Sequence, residues 1–191
     1  MTTKATKKKK TTTTKPIPDL PPNPFVFEVF QVVDKQRSKT KKVEALRKFE
    51  HISITTVLFW NFEDTVISDL PEGDVPYAST GEQGSFNGTL SEKIGDAVSK
   101  MSEIGSNSLG SQDQGQTTIR KEYTKFYNFM KGGNPALSSL RRESMFINIL
   151  QGLHPLEAEI LCLVKDKRLG EKYKITKEIV SEAYPNIKWR S

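Results

Sequence analysis

The 191-residue chain contains 29 Lys and Arg residues against 23 Asp and Glu residues, and 35% of its residues are hydrophobic. It has no run of eighteen apolar residues, no apolar stretch typical of a secretory leader, and a single cysteine, Cys162. These features exclude a membrane-spanning helix, an internal disulfide and a thiolate zinc cluster. They predict one domain of ordinary size with added polar segments, in a soluble protein of a reducing cytoplasm.

The N-terminal arm, residues 1–18, holds the whole formal net charge of +6, because the remaining basic and acidic residues are equal in number. A lysine-rich segment without acids binds polyanions by counterion release and without sequence preference. The arm has no aromatic residue, so stacking on bases is not expected. We interpret it as a candidate nucleic-acid-binding segment, the alternative being a solvated arm that aids solubility. Its candidate residues are Lys4, Lys7, Lys8, Lys9, Lys10 and Lys15.

Residues 1–22 combine a Lys/Thr tail with a Pro-rich hinge and are predicted to be disordered. The first helix is expected to begin at Asn23-Pro24, and the second to cover residues 40–49. Residues 52–62 are rich in β-branched side chains and could form a strand, but the helical spacing of their large apolar residues favours a helix. Breaker residues in 63–84 predict an extended loop, which closes an N-terminal unit of residues 23–80.

Residues 81–117 form a Gly/Ser-rich insertion with one amphipathic helix inside it. Thr89 and Glu92 have the spacing of a capping box, and six apolar residues between 90 and 104 form a stripe at helical spacing. This helix either packs on the body in the resting fold or waits for a partner.

The C-terminal part, residues 118–191, reads as helices throughout. The pattern predicts a helix ending at Met130, a second capped by Ser138 or Ser139 with Leu140 facing inward, a third opened by His154-Pro155, and a last one over 176–184. The predicted fold is therefore all-α: a compact multi-helix domain of about seven or eight short helices without a convincing strand pair. Residues 23–80 and 118–191 are expected to form one domain.

Charge is also segregated within this neutral body. Residues 35–48 and 165–177 are basic, whereas residues 49–92 contain eight carboxylates and no Lys or Arg. The first basic region adds Lys39, Lys41, Lys42 and Lys48 to the candidate nucleic-acid residues. The second lies between two helices and permits a helix-turn-helix interpretation, although its connection is long and its final helix carries two glutamates. The acidic region could equally face a partner or a basic surface of the same chain.

Two clusters of large apolar side chains are candidate partner-binding residues: Phe59 with Trp60, and Ile187 with Trp189. Both could belong to the core. Ile187 and Trp189 follow Pro185, outside the last predicted helix, so this segment either folds back on the body or anchors a partner.

No residue set in the sequence assembles an acid, a base and a nucleophile. His51 and His154 are far apart in the sequence and lack metal-ligand spacing, and His154 before a proline is placed to cap a helix. Cys162 lies among apolar residues, which raise a thiol's pKa and make it unreactive. The glycine loops at 81–84 and 131–133 do not follow a strand, as a phosphate-binding loop requires. We therefore predict a protein that is not an enzyme and has no cofactor or metal.

Three stretches resemble a family of proteins encoded by T4-like phages of marine bacteria and cyanobacteria. The first is Leu58-Phe-Trp-Asn-Phe together with Leu70-Pro-Glu-Gly-Asp-Val-Pro-Tyr, the second Phe129-Met-Lys-Gly-Gly-Asn-Pro-Ala-Leu, and the third Gly152-Leu-His-Pro-Leu-Glu-Ala-Glu-Ile-Leu with Val164-Lys-Asp-Lys-Arg-Leu. The resemblance covers residues 23–77 and 118–187. It implies a phage protein in the cytoplasm of an infected bacterium and implies no particular activity.

The sequence therefore predicts a non-enzymatic phage accessory protein that acts as an adaptor. Its helical body would bind a phage or host protein, and its basic arm would attach non-specifically to nucleic acid. The alternative is a structural or assembly protein of the virion, whose arm contacts DNA or a neighbouring subunit. A sequence-specific DNA-binding regulator is a third hypothesis.

Overall fold

The structure of the chain, a computed structural model, describes residues 16–74, 76–78, 87–89 and 116–190, together with residues 92, 95, 96, 98 and 99. The fold is all-α, as the sequence predicted. Two short strands pair antiparallel, with Pro76 opposite Thr89, and form the one ribbon among the described residues. In chain order the elements are α1 Val26–Asp34, α2 Lys39–Lys48, α3 Ile52–Phe62, β1 Pro76–Ala78, β2 Asn87–Thr89, α4 Ile119–Glu122, a 3-10 helix Tyr123–Phe129, α5 Ser139–Gly152, α6 Pro155–Lys165, α7 Leu169–Lys172 and α8 Lys177–Ala183.

A single hydrophobic core draws on both the N-terminal and the C-terminal part of the chain. Helix α2 packs against α1 and α8, while α3 packs against α6. An aromatic cluster lies at the centre: the rings of Trp60 and Phe126 are 5.6 Å apart, and those of Phe129 and Phe146 are 5.2 Å apart. Long-range packing of this kind holds short helices that would not be stable alone.

Residues 16–22 belong to the fold, which corrects the prediction of disorder through residue 22. Ile17 is buried in the core with 8% of its surface exposed. The reason is that one apolar side chain in the Pro-rich segment finds a place beside the end of α2, where Lys48 holds the Ile17 carbonyl at 3.1 Å. The rest of the predicted tail, residues 1–15, lies outside the described residues.

Helix α1 begins later than the sequence indicated. Asn23 has a left-handed backbone with φ of 56° and does not cap the helix. Phe25 is the N-cap residue, and its amide donates to the carboxylate of Glu28 at 2.8 Å. The expected helix over residues 52–62 is confirmed with those bounds, and His51 caps it by accepting the Ser53 amide at 3.1 Å.

The segment expected to be one helix ending at Met130 is a single α-turn followed by a 3-10 helix. A 3-10 helix has three residues per turn, so residues three apart share a face. Phe126 and Phe129 are therefore buried, while Tyr127 is 54% exposed. The expectation that Leu140 faces inward is also wrong: it is 74% exposed, and Arg142 is buried in its place.

The capping box at the start of the inserted helix is confirmed. The Thr89 amide donates to the Glu92 carboxylate at 2.7 Å, and the Glu92 amide donates to the Thr89 hydroxyl at 3.3 Å. Val98, on the apolar stripe, is half-buried and packs against the core. The other residues of that stripe lie outside the described residues.

Candidate nucleic-acid and partner interfaces

Two of the four candidate lysines of α2 bind groups on or near α8. Lys39 forms ion pairs with Glu178 and Glu182, each at 3.0 Å. Lys42 is buried and donates to the backbone carbonyl of Lys174. The third, Lys41, pairs with Glu44 along α2 at 2.6 Å.

The remaining candidate of this region, Lys48, holds the start of the described chain. Its ammonium donates to the Ile17 carbonyl and pairs with Asp19 at 2.7 Å. The positive charge of α2 is therefore matched inside the body. Exposed ion pairs of this kind contribute about 0–1 kcal/mol each, yet they neutralise the surface that phosphates would meet.

The second basic region is engaged in the same way. Arg168 pairs with Glu171 at 2.7 Å, Lys172 pairs with Glu159, and Lys177 pairs with Asp64 at 3.0 Å. Helix α8, the recognition helix of the helix-turn-helix hypothesis, packs against α2. Its outer glutamates border that contact, which leaves no basic face for a DNA groove.

The acidic region faces this second basic region. Lys165 is buried and donates to the carbonyls of Pro71 at 2.7 Å and Gly73 at 3.0 Å, so it fixes the loop after α3. Lys167 donates to the carbonyl of Glu63 at the end of α3. Among the described residues the two regions therefore meet through one ion pair, Asp64 with Lys177, and through bonds from lysines to backbone carbonyls.

The C-terminal segment folds back on α3. The rings of Trp189 and Phe59 lie 5.9 Å apart, and the Lys177 ammonium is 5.3 Å from the centre of the Trp189 ring. The Arg190 amide donates to the Glu63 carboxylate at 2.8 Å. Ile187 is half-buried against the core. Three of the four candidate partner residues, Phe59, Ile187 and Trp189, therefore take part in the packing of the C-terminal segment on the body.

The prediction that the fourth candidate, Trp60, binds a partner is wrong. It is completely buried, because α3 turns this ring toward the core while it turns Phe59 toward the C-terminal segment. A side chain without exposed surface is not available to a partner.

Glu63 organises the place where the chain folds back. Its carboxylate accepts hydrogen bonds from the amide of Thr65 at 3.0 Å and its hydroxyl at 2.9 Å, in addition to the Arg190 amide. These donors lower the pKa of Glu63 to about 2. The carboxylate is therefore ionised at neutral pH and joins α3 to the end of the chain.

The titratable groups considered for catalysis have structural roles or lack reactivity. The Nδ1 atom of His154 accepts the Leu156 amide at 3.1 Å and caps α6, as the sequence indicated. Burial raises the pKa of the Cys162 thiol to about 12, so the thiolate that could act as a nucleophile is not populated at neutral pH.

Glu157 is a buried carboxylate whose role the sequence did not reveal. Its two oxygens accept the first amides of two other helices, from Val26 of α1 at 3.0 Å and from Ile119 of α4 at 2.9 Å. Burial raises its pKa to about 7. In the sequence it resembles any acid in the first turn of a helix, because its partners are distant in the chain.

Within the part of the chain that the structure describes, no helix is long and apolar enough to cross a bilayer, and no group of three or more His, Cys, Asp or Glu residues is arranged to hold a metal. The chain matches the model of a family of unknown function (DUF6433) over residues 29–94 and 105–171, and it belongs to that family. No curated protein and no solved structure matches it.

Proposed function

We propose that this member of the family is a non-enzymatic accessory protein of a bacteriophage, an adaptor in the cytoplasm of the infected bacterium. Its basic arm attaches to nucleic acid without sequence preference, and its helical body binds a protein. The resemblance of three sequence stretches to phage proteins supports the setting. The capping roles of the two histidines and the raised pKa of Cys162 support a role other than catalysis.

The observation that carries the proposal is that the two basic regions of the body already bind groups of the body. The lysines of α2 and most cations of 165–177 bind acids or carbonyls of the body. The six lysines of the arm have no acid among the first eighteen residues. Attraction to phosphate is therefore assigned to the arm, which leaves the folded body for a protein partner.

The test compares the full chain with a variant lacking residues 1–15, because a longer deletion would remove the buried Ile17. Binding to a fluorescent random-sequence DNA duplex is measured by anisotropy over a series of salt concentrations. We expect the full chain to bind with a salt slope of up to about −5, at about 0.9 per phosphate neutralised, and the truncated chain to lose this binding.

A control variant, Lys39→Ala with Lys41→Ala, is expected to bind DNA like the full chain, since both lysines are already paired in the body. Undiminished DNA binding by the truncated chain would contradict the assignment and favour a DNA-binding body. Recovery of the protein in stoichiometric amount from purified phage particles would contradict the adaptor proposal and favour a structural component of the virion.

A further inference from the structure

A groove of about 700 Å³ lies between α5 and the chain that leads into α4 and the 3-10 helix. Its volume is within the range of sites that bind small molecules or short peptide segments. The lining residues are Gln116, Thr117, Glu122, Lys125, Arg141, Ser144, Met145, Asn148, Ile149 and Gly152.

The two walls of the groove are fixed to each other at one end. The amides of Gln116 and Thr117 both donate to the Gly152 carbonyl, at 2.8 and 2.9 Å. A Cβ atom at Gly152 would lie 3.2 Å from the Thr117 methyl group, so a side chain there would displace that methyl group by a few tenths of an ångström. The floor is apolar, with half-buried Met145 and nearly buried Ile149. These two hydrogen bonds and the apolar floor therefore join the groove to the folded body.

Its walls carry polar side chains with unused hydrogen-bonding capacity. Gln116, Arg141 and Asn148 are exposed, and their side chains form no hydrogen bond or ion pair within the described structure. Lys125, by contrast, pairs with Glu122 at 2.7 Å. Among the described residues Arg141 has no charged partner, so it gives the groove a positive charge, unlike the lysines of α2, which bind groups of the body.

We propose that this groove binds an extended peptide segment that carries an acidic side chain. The inference rests on the protein-binding part of the proposed function and names its surface. The guanidinium of Arg141 offers a planar pair of donors that fits a carboxylate. The side-chain amides of Gln116 and Asn148 match the donor and acceptor of peptide groups. Met145 adapts its shape to different apolar side chains.

Nucleic acid fits this groove less well than a peptide does. None of the lining residues is aromatic, so bases have no stacking surface. The groove has two cationic side chains, Arg141 and Lys125, and Lys125 already pairs with Glu122. The charge and the polar amides together favour an acidic peptide.

The experiment selects binders of the full chain from a random dodecapeptide library and measures their affinity by fluorescence anisotropy. We expect the selected peptides to be enriched in Asp or Glu, and to lose affinity when that residue is changed to Asn or Gln. Arg141→Glu is expected to weaken binding by about tenfold or more, and Asn148→Ala by about threefold. Arg37→Glu, a matched change at another exposed arginine, leaves binding unchanged.

Amide NMR spectra then locate the site, and the selected peptide should shift the signals of residues 141–152. Selected peptides without acidic residues, or equal binding by the Arg141→Glu variant, would overturn the proposal. So would a DNA oligonucleotide that shifts these same signals in the chain lacking residues 1–15. If deleting residues 105–115 raises the affinity for the peptide more than about tenfold, the chain's own segment is the occupant of the groove. That result would also overturn the proposal.

These outcomes are separate from those for the arm. Loss of DNA binding on removing residues 1–15 tests the nucleic-acid part of the adaptor, and peptide affinity is measured without DNA. If the body binds a protein partner with unchanged affinity after Arg141→Glu, the groove assignment fails while the adaptor proposal stands.

Discussion

Gly133 has no room for a side chain, whereas its neighbour Gly132 has. A Cβ atom at Gly133 would lie 1.8 Å from the backbone oxygen of Tyr127, while a Cβ atom at Gly132 would meet nothing within 4 Å. Gly132 has φ of 79°, which costs other residues about 1 kcal/mol. We expect Gly132→Ala to lower the free energy of unfolding by about 1 kcal/mol and Gly133→Ala by about 3 kcal/mol, measured by urea denaturation. Equal losses of stability in the two variants would show that Gly133 does not approach the Tyr127 backbone closely.

Glu157 should make the stability of the protein depend on pH between its two pKa values. Its pKa is about 7 in the fold, against an ordinary value of 4.5. Between these values the folded chain holds a proton that the unfolded chain has lost, so protonation favours folding. We expect this group's contribution to the free energy of unfolding to fall as pH rises from about 4.5 to about 7, and to stay constant above that.

The variant Glu157→Gln isolates this contribution. Its amide can accept only one of the two helix amides, so we expect a loss of about 1–3 kcal/mol at neutral pH. Urea denaturation from pH 4.5 to 8 should show a smaller decline with pH than in the unchanged chain. An identical pH dependence in both proteins would assign the decline to other groups.

At the scale of elements, the end of α6 shows why a lysine occupies a position suited to glycine. The amides of Lys167 and Arg168 donate to the carbonyls of Val164 at 3.0 Å and Leu163 at 2.8 Å, which is a Schellman motif. Lys167 has φ of 59°, a left-handed conformation that costs about 1 kcal/mol. Its side chain reaches the carbonyl of Glu63 at the end of α3. The side-chain contact between two helix ends offsets the strained backbone.

Two substitutions separate these effects. Lys167→Ala keeps the strain and loses the contact, so we expect the free energy of unfolding to fall by about 2 kcal/mol. Lys167→Gly loses the same contact but relieves the strain, and should be about 1 kcal/mol more stable than the alanine variant. A glycine variant more stable than the unchanged chain would show that the contact with Glu63 contributes less than the strain costs, so that it does not offset the strain. Urea denaturation at pH 7 measures the free energy of unfolding of the unchanged chain and of both variants.

At the scale of the whole molecule, the C-terminal segment depends on the ionised Glu63. The pKa of this carboxyl is about 2 in the fold and 4.5 ordinarily, because backbone amides of Thr65 and Arg190 donate to it. Its contribution to stability is therefore present above about 4.5 and is lost as pH falls through about 2. We expect the indole signal of Trp189 in NMR spectra to keep its folded position at pH 4 and to change near pH 2.

The chain has two tryptophans, so Trp189→Phe assigns the indole signal. In the variant Glu63→Gln the Arg190 amide loses its charged acceptor, and the Trp189 signal should move toward its unfolded position at neutral pH. A Trp189 signal that is the same in both proteins would show that the segment is held by ring packing alone.

Sequence patterns predicted the helices well where the signal was local. The bounds of α3 follow from its apolar spacing in spite of its β-branched residues, and α8 lies within one residue of the predicted range 176–184, with Thr176 as its N-cap. The prediction was wrong where the three-residue period of a 3-10 helix resembles the 3.6-residue period of an α-helix. Tyr123, Phe126 and Phe129 are three residues apart, and a 3-10 helix fits them better. Leu140 was misplaced because an apolar residue in a first turn can stay in solvent when a buried arginine occupies the inner face.

The candidate sites were less predictable, since each depends on pairs far apart in the chain. The basic character of α2 was visible, but Lys39 and its partner Glu178 are separated by 139 residues. The groove left only a faint trace in the sequence, the polar residues Arg141, Ser144 and Asn148 at spacings of three and four along one face of α5. Its other wall comes from residues 116–125, and no local pattern joins the two.

The sequence by itself determined the all-α fold, the caps of α5 and α6 and the concentration of net charge in the first eighteen residues, because these depend on neighbouring residues and on composition. Only the tertiary structure decided which charges of the body are paired. It joined α2 to α8 and Asp64 to Lys177, brought Trp189 back onto Phe59, and placed Arg141 at an open groove without a charged partner among the described residues. The physical reason is that electrostatic attraction and packing act over a few ångströms in space, whatever the distance along the chain.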